Sequence, residues 1–185
     1  CHEQKTSIVY KEDVSAALGK DILESNEVVL KNATIKLDVE TVNNLGDADV
    51  TLTADTVENQ DRNDLVNSLS DDKKQAIGDS KIYNFLMEQD GSNITDFNGK
   101  VMVSVPYELE EGEDPESIAI WYINEVGEVE TILATYSNGQ ATFETNHFSY
   151  YSVIRLSAAE RCALYGHYNT DTVYTRTCIT DGYTL

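Results

Sequence analysis

The chain has 185 residues, 33 of them acidic and 13 basic, for a formal charge of -20. That length supports one ample domain with a conventional hydrophobic core, so neither disulfides nor a metal is needed to hold it together. The charge disfavours nucleic acid and anionic membrane, whose phosphates it would repel at long range. No apolar run approaches the ~18 residues of a membrane-spanning helix. Residues 156–185 hold Glu160, Asp171 and Asp181 against Arg161 and Arg176, so almost all of the charge lies in residues 1–155. The ordinary reading of such a surplus is a solvated surface; the sharper one is divalent-cation loading, with Ca²⁺ as the candidate ion.

Taken in order, Ser7-Ile8-Val9-Tyr10 is a short β-prone piece suited to an edge strand. Val14, Leu18 and Ile22 follow at i, i+4, i+8, which predicts a helix over Asp13 to Glu24, weakened by Gly19 and ended by Ser25-Asn26. From Glu27 to Val39 apolar residues alternate, first at Val28 and Leu30, then at Ile35, Leu37 and Val39, and this predicts strands. Asp38 is placed to cap a short helical turn through Val42 and Leu45, with Gly46 as its stop. Val50, Leu52 and Ala54 alternate with Thr51 and Thr53 as a half-buried strand. The polar section Asp55 to Asp79 reads as an excursion with two brief helices, around Leu65–Leu69 and from Ser70 to Gly78.

Strand character returns at Ile82 to Met87, with Tyr83, Phe85 and Met87 on one face. Asp90-Gly91 turns the chain and Asn98-Gly99 is a strong hairpin signal. Val101, Val103 and Val105 alternate until Pro106 stops the ladder. An acidic loop from Glu108 to Glu116 leads to Ile118–Ile123, apolar on both faces and so a central strand. Asn124 to Gly127 turns, Val129 to Tyr136 returns as one strand, and Asn138-Gly139 marks another hairpin. Ala141–Thr145 and Phe148–Leu156 complete a meander. The spacing is that of a mainly β protein: an antiparallel β-sandwich, immunoglobulin-like in architecture, with one or two short helices. Residues 27–156 form the sandwich, residues 1–26 pack on it as a strand and helix, and residues 157–185 are a separate Cys-containing tail.

Four segments carry a resemblance. Val103-Ser104-Val105-Pro106-Tyr107, Glu111-Gly112-Glu113-Asp114-Pro115-Glu116, Ile120-Trp121-Tyr122-Ile123-Asn124 and Thr145-Asn146-His147-Phe148-Ser149-Tyr150-Tyr151-Ser152-Val153 resemble a β-rich domain of large bacterial and archaeal cell-surface proteins, S-layer-associated or adhesin-like. The likeness covers roughly residues 27–155 and is most specific in its last third. It implies a secreted or wall-associated structural domain and brings no catalytic residues with it. The tail, with Cys162, Gly166-His167, Thr177-Cys178 and Asp181-Gly182-Tyr183, looks like the opening of a Cys-rich repeat of the same class of protein. With no initiator Met, the chain reads as a processed form or a fragment.

The cysteines number three. In an exported protein Cys162–Cys178 is the natural local bridge, leaving Cys1 free, lipidated or linked to another chain. The rival reading, a zinc site of Cys162, His167 and Cys178, lacks a fourth ligand. Asn32 and Asn93 begin glycosylation sequons. His147 reads as a structural histidine bonded to nearby backbone, since no nucleophile motif such as Gly-x-Ser-x-Gly accompanies it. Paired carboxylates, such as Glu110-Glu111 and Glu113-Asp114, are common by chance in so acidic a chain. Asp61, Asn63 and Asp64 begin like a calcium loop but lack its glycine. Among eleven tyrosines and one tryptophan, Trp121, Tyr107 and Tyr136 are the candidate ligand-facing aromatics. A Lys–Asn isopeptide crosslink would need a buried Lys, Asn and acid in contact.

With no nucleophile, cofactor or phosphate-loop signature, the chain reads as a non-catalytic structural or self-assembly module of an extracellular protein, a candidate filament or array subunit joined through edge strands. The alternative is an adhesin or carbohydrate-binding module at the cell surface. The expected partners are copies of itself, neighbouring domains of a larger surface protein, or a cell-wall glycan, with no cofactor required.

Overall fold

A computed structural model describes residues 6–157 and residue 160. The architecture is mainly β, with two sheets packed face to face. The strands are β1 (Thr6–Tyr10), β2 (Ser15–Leu18), β3 (Asn26–Leu30), β4 (Thr34–Leu37), β5 (Val50–Thr56), β6 (Ile82–Gln89), β7 (Ser92–Asn93), β8 (Val101–Pro106), β9 (Ile118–Ile123), β10 (Val129–Leu133), β11 (Thr135–Ser137), β12 (Gln140–Thr145) and β13 (Tyr150–Arg155). Short helices are α1 (Lys20–Ser25), α2 (Val39–Asn43), α3 (Asn59–Asn67) and α4 (Asp71–Ile77), with a 3-10 turn at Pro115–Ser117. Sheet A has the order β1-β3-β4-β8-β12-β11, and sheet B the order β10-β9-β13-β6-β5-β2, with the two-residue β7 added to β6. Every pairing is antiparallel except that of β1 with β3.

The alternating positions of each strand supply the core, as the period of a half-buried strand requires. Val28, Ile35, Val101, Val103 and Phe143 of sheet A meet Leu52, Phe85, Met87, Ile120 and Tyr151 of sheet B, all nearly sealed from solvent. Sheet B is also covered on its outer face, where Leu65, Leu69 and Ile77 of the α3–α4 excursion pack on Ile82, Ala119, Trp121, Ile123 and Ile154. This second layer explains why β9 is apolar on both sides. The polar section between β5 and β6 is thus a lid on one sheet rather than a second domain.

At the entrance to β13 the Tyr151 hydroxyl lies 2.6 Å from the His147 carbonyl oxygen, and the Thr145 hydroxyl is 2.8 Å from both. A tyrosine reaching back four residues in this way is the tyrosine corner of Greek-key sandwiches. Burial pushes the phenols of Tyr151 and Tyr83 above their ordinary value, with the Thr145 hydrogen bond pulling the former back. A folded-state value above the unfolded one, near 10, means a contribution that is complete below about pH 10 and fades as pH rises towards the folded value. We expect the melting temperature to fall steeply above about pH 10. Tyr151→Phe should flatten that fall at a cost of about 1 kcal/mol at neutral pH, read from thermal melts across pH.

Several expectations are corrected. The helix predicted from Asp13 is two elements, β2 and α1, broken at Gly19. A spacing of four satisfies period 2 as well as period 3.6, and the intervening Ala16 completes the alternation that lays Leu18 against β5. Residues 6–26 are not an appendage on the sandwich: β1 ends sheet A and β2 ends sheet B. Asn98-Gly99 closes no hairpin, because β7 belongs to sheet B and β8 to sheet A. Its glycine is needed for close approach instead, since a Cβ there would sit 2.6 Å from Thr41 N and 2.7 Å from Asp38 Oδ1. Asp38 caps α2 through Thr41 N at 2.8 Å and holds Lys100 N at 2.9 Å, which ties the start of β8 to that helix. The single strand expected from Val129 to Tyr136 divides between the sheets at Ala134, and residues 101–156 pass repeatedly from sheet to sheet rather than forming a meander. Among the described residues the helices are the few short ones α1 to α4.

Candidate functional site

Tyr107 follows the end of β8 and Tyr136 lies in β11, so the turn between β11 and β12 brings them together at one rim of the sandwich. Their ring centroids are 6.3 Å apart with an interplanar angle of 87°. With Tyr83, Val153, Lys81 and Pro106 they line a slot of about 500 Å³. Both hydroxyls are spent within the protein: Tyr136 donates to the Tyr107 carbonyl at 3.0 Å, and Tyr107 donates to Glu113 at 2.7 Å. Two edge-to-face rings with tethered hydroxyls make a packed corner, not a flat platform. Trp121 is elsewhere. It is only 6% exposed, beneath the α3–α4 lid, and so does not face a ligand. The apolar run of β9 marks both of its faces for burial, but the lid that covers this one comes from residues about 50 positions away.

Arg155, at the end of β13, was not singled out by any sequence signal. Its Nε donates to the Tyr107 hydroxyl at 3.0 Å and lies 3.0 Å from Glu113, while Nη1 and Nη2 grip Glu110 at 3.3 and 3.2 Å. The Glu113 side chain is 7% exposed and also accepts from Glu110 N at 2.9 Å. A basic residue closing an apolar strand was the one available hint. The acidic loop is therefore latched to the sandwich, and two of its carboxylates are committed to this cation. Burial and the Glu113 hydrogen bond both raise the Tyr107 phenol, which suits its role as a donor.

The remaining acidic side chains do not assemble into a metal group. Asp55, Glu58, Asp61, Asp64 and Glu125 border one notch, yet no three His, Cys, Asp or Glu side chains among the described residues have metal-binding geometry. Asp61, Asn63 and Asp64, suggestive of a calcium loop in sequence, lie on α3, where helical backbone cannot wrap an ion. Nor is there a buried lysine for an isopeptide bond: among the described residues the buried polar side chains are Thr41, Thr145 and Ser152. The His147 carbonyl accepts from Tyr151 and Thr145, whereas its ring, expected to bond nearby backbone, packs edge-on to Tyr122 at 4.5 Å with Nδ1 2.7 Å from the Asn146 side-chain Oδ1. Cys1, Cys162 and Cys178, with His167, lie outside the described residues.

The two sequons differ. Asn32 Nδ2 donates to the Ala54 carbonyl at 3.0 Å, so a glycan there would break a tie between the sheets. Asn93 is exposed on β7. Secreted from a glycosylating host, folded protein should carry its glycan at Asn93, and Asn93→Gln should remove the mass shift that Asn32→Gln leaves.

No protein-family model and no curated protein matches the chain. Its exposed surfaces therefore carry the functional reading, and the edges of the two sheets are the first of them. Among the described residues, no helix is long and apolar enough to cross a membrane. Of the four terminal strands, β11 has three residues, β2 has four, and β10 carries Glu130 at its second position. The fourth, β1, is five residues long with neither charge nor proline, and it projects Val9 at 53% exposure. Its only strand partner among the described residues is β3.

Proposed function

We propose that the chain is a non-catalytic structural module of an extracellular surface protein that self-assembles by strand addition at β1. One observation supports this above all: β1 lacks every device by which native proteins blunt an exposed edge, namely shortness, a central charge, proline or a covering element among the described residues. Its outer backbone groups are a pairing template for a strand of another copy, and main-chain hydrogen bonds would supply the affinity. The resemblance of residues 27–155 to cell-surface domains points the same way. Cys1, five residues before β1, is placed in sequence to lock neighbours covalently.

Sedimentation and negative-stain microscopy over a concentration series, with and without reductant, test the proposal. Wild-type chain should form higher-order species. Val9→Lys, which leaves all backbone donors in place but puts a charge on the edge, should raise the concentration needed by about tenfold or more. A wild-type chain that stays monomeric at every concentration overturns strand addition and favours the alternative, a binding module presented at a surface. Polymers that dissolve on reduction would assign the link to Cys1.

A further inference from the structure

The two faces of the sandwich are treated unequally. Sheet B is roofed by α3 and α4, whereas the outer face of sheet A is open among the described residues and forms the floor of a trough. The trough crosses all six strands, from Thr6 in β1 to Ser137 in β11, and is walled at one end by the last residues of α1 and at the other by the β11–β12 turn. Five inter-strand steps of about 4.8 Å make it about 24 Å long. We propose that this trough binds a neutral polysaccharide chain. The inference goes beyond the assembly reading and does not rest on it.

The chemistry of the floor selects that class. Register places Thr34, Ser104 and Thr142 directly across from one another on adjacent strands, an unbroken row of hydroxyls in which Ser104 and Thr142 are 2.8 Å apart. Gln140 adds an amide beside this row, and Met102, 40% exposed where a polar residue would be expected, adds an apolar spot. Hydroxyls and an amide that both donate and accept, next to exposed hydrocarbon, complement a sugar, whose rim is hydroxyl and whose ring face is C–H. A peptide strand does not fit here. The backbone donors and acceptors of a sheet interior are used between strands, and a face offers side chains only. A phosphate or an anionic polymer does not fit either. Lys36, the trough's one cation among the described residues, donates to the carbonyls of Leu23 at 3.3 Å and Glu24 at 2.8 Å, closing the end of α1.

The test is a ¹H–¹⁵N titration of the whole chain with millimolar cellohexaose, chitohexaose and mannohexaose, with polygalacturonate as the anionic control. At least one neutral hexasaccharide should shift amides of β4, β8 and β12, and polygalacturonate should not. Met102→Lys, an exposed change that leaves the core untouched, should weaken that binding by about tenfold or more with an unaltered circular dichroism spectrum. Gln140→Ala should weaken it as well. No shift with any neutral hexasaccharide, shifts confined to the Tyr107–Tyr136 slot, or binding of polygalacturonate alone would each overturn the proposal.

Discussion

Gly127→Ala should be among the most damaging single methyl additions available in this chain. Gly127 sits in the turn between β9 and β10 at φ +85°, where an L-residue costs about 1–2 kcal/mol in backbone energy alone. The added Cβ would fall 2.7 Å from the Ser68 carbonyl carbon and 2.8 Å from its hydroxyl, and it would press on the carbonyl oxygen itself. Those are largely backbone atoms of the connection between α3 and α4, so the lid must move off sheet B or the turn must open. We expect a total loss of about 3–4 kcal/mol, at the upper end of single-residue effects. Gly139→Ala separates the two terms: its φ of +76° is similar, but nothing lies near the added Cβ, so only the backbone cost should appear. Urea unfolding followed by the fluorescence of the single tryptophan is well suited to the comparison. Trp121 lies beneath the lid, and its emission should shift to the red early in Gly127→Ala and not in Gly139→Ala.

Phe85→Ala is expected to cost about 3–5 kcal/mol, through lost transfer energy and the cavity left behind. Phe85 is fully buried, and its ring contacts join both sheets and the last loop: Tyr83 at 5.8 Å and Tyr151 at 5.5 Å within sheet B, Phe143 at 6.5 Å from sheet A, and Phe148 at 5.6 Å. The surrounding aromatic rings are rigid and mutually braced, so they cannot collapse into the space. A loss of that size is a large fraction of the stability of an ordinary domain. Val126→Ala, at a residue 70% exposed, should stay within about 0.5 kcal/mol and serves as the control. The difference in urea midpoint between the two variants checks the claim that the inter-sheet aromatic cluster, rather than the apolar surface, holds the sandwich closed.

How far the sequence reached can be judged from particular residues. Val101, Val103 and Val105 were readable as one buried face because alternation is a local property. So were Tyr83, Phe85 and Met87, and all six are buried. Asp38 as a cap was readable for the same reason. Val14 and Leu18 were not, since a spacing of four serves either period and only the pairing of β2 with β5 chooses between them. Trp121 shows the limit for function: a lone tryptophan on a strand apolar on both faces looks available to a ligand until a distant segment is seen to cover it. The trough shows the converse. Thr34, Ser104 and Thr142 are unremarkable solvent-side residues in three separate segments, and nothing in their neighbours marks them.

By itself, then, the sequence determined the β character, most strand positions, the brief helices between β5 and β6 and the strongly negative net charge. Each of these follows from period, turn chemistry or summed charge along a contiguous stretch. The tertiary structure alone decided which strands share a sheet, that β1 ends sheet A with β3 as its one strand partner among the described residues, that Arg155 latches the acidic loop, and that three hydroxyls align across sheet A. These depend on register between segments as many as 108 positions apart, such as Thr34 and Thr142. The physical reason is that a strand carries its own two faces in its sequence but not the identity of its neighbour.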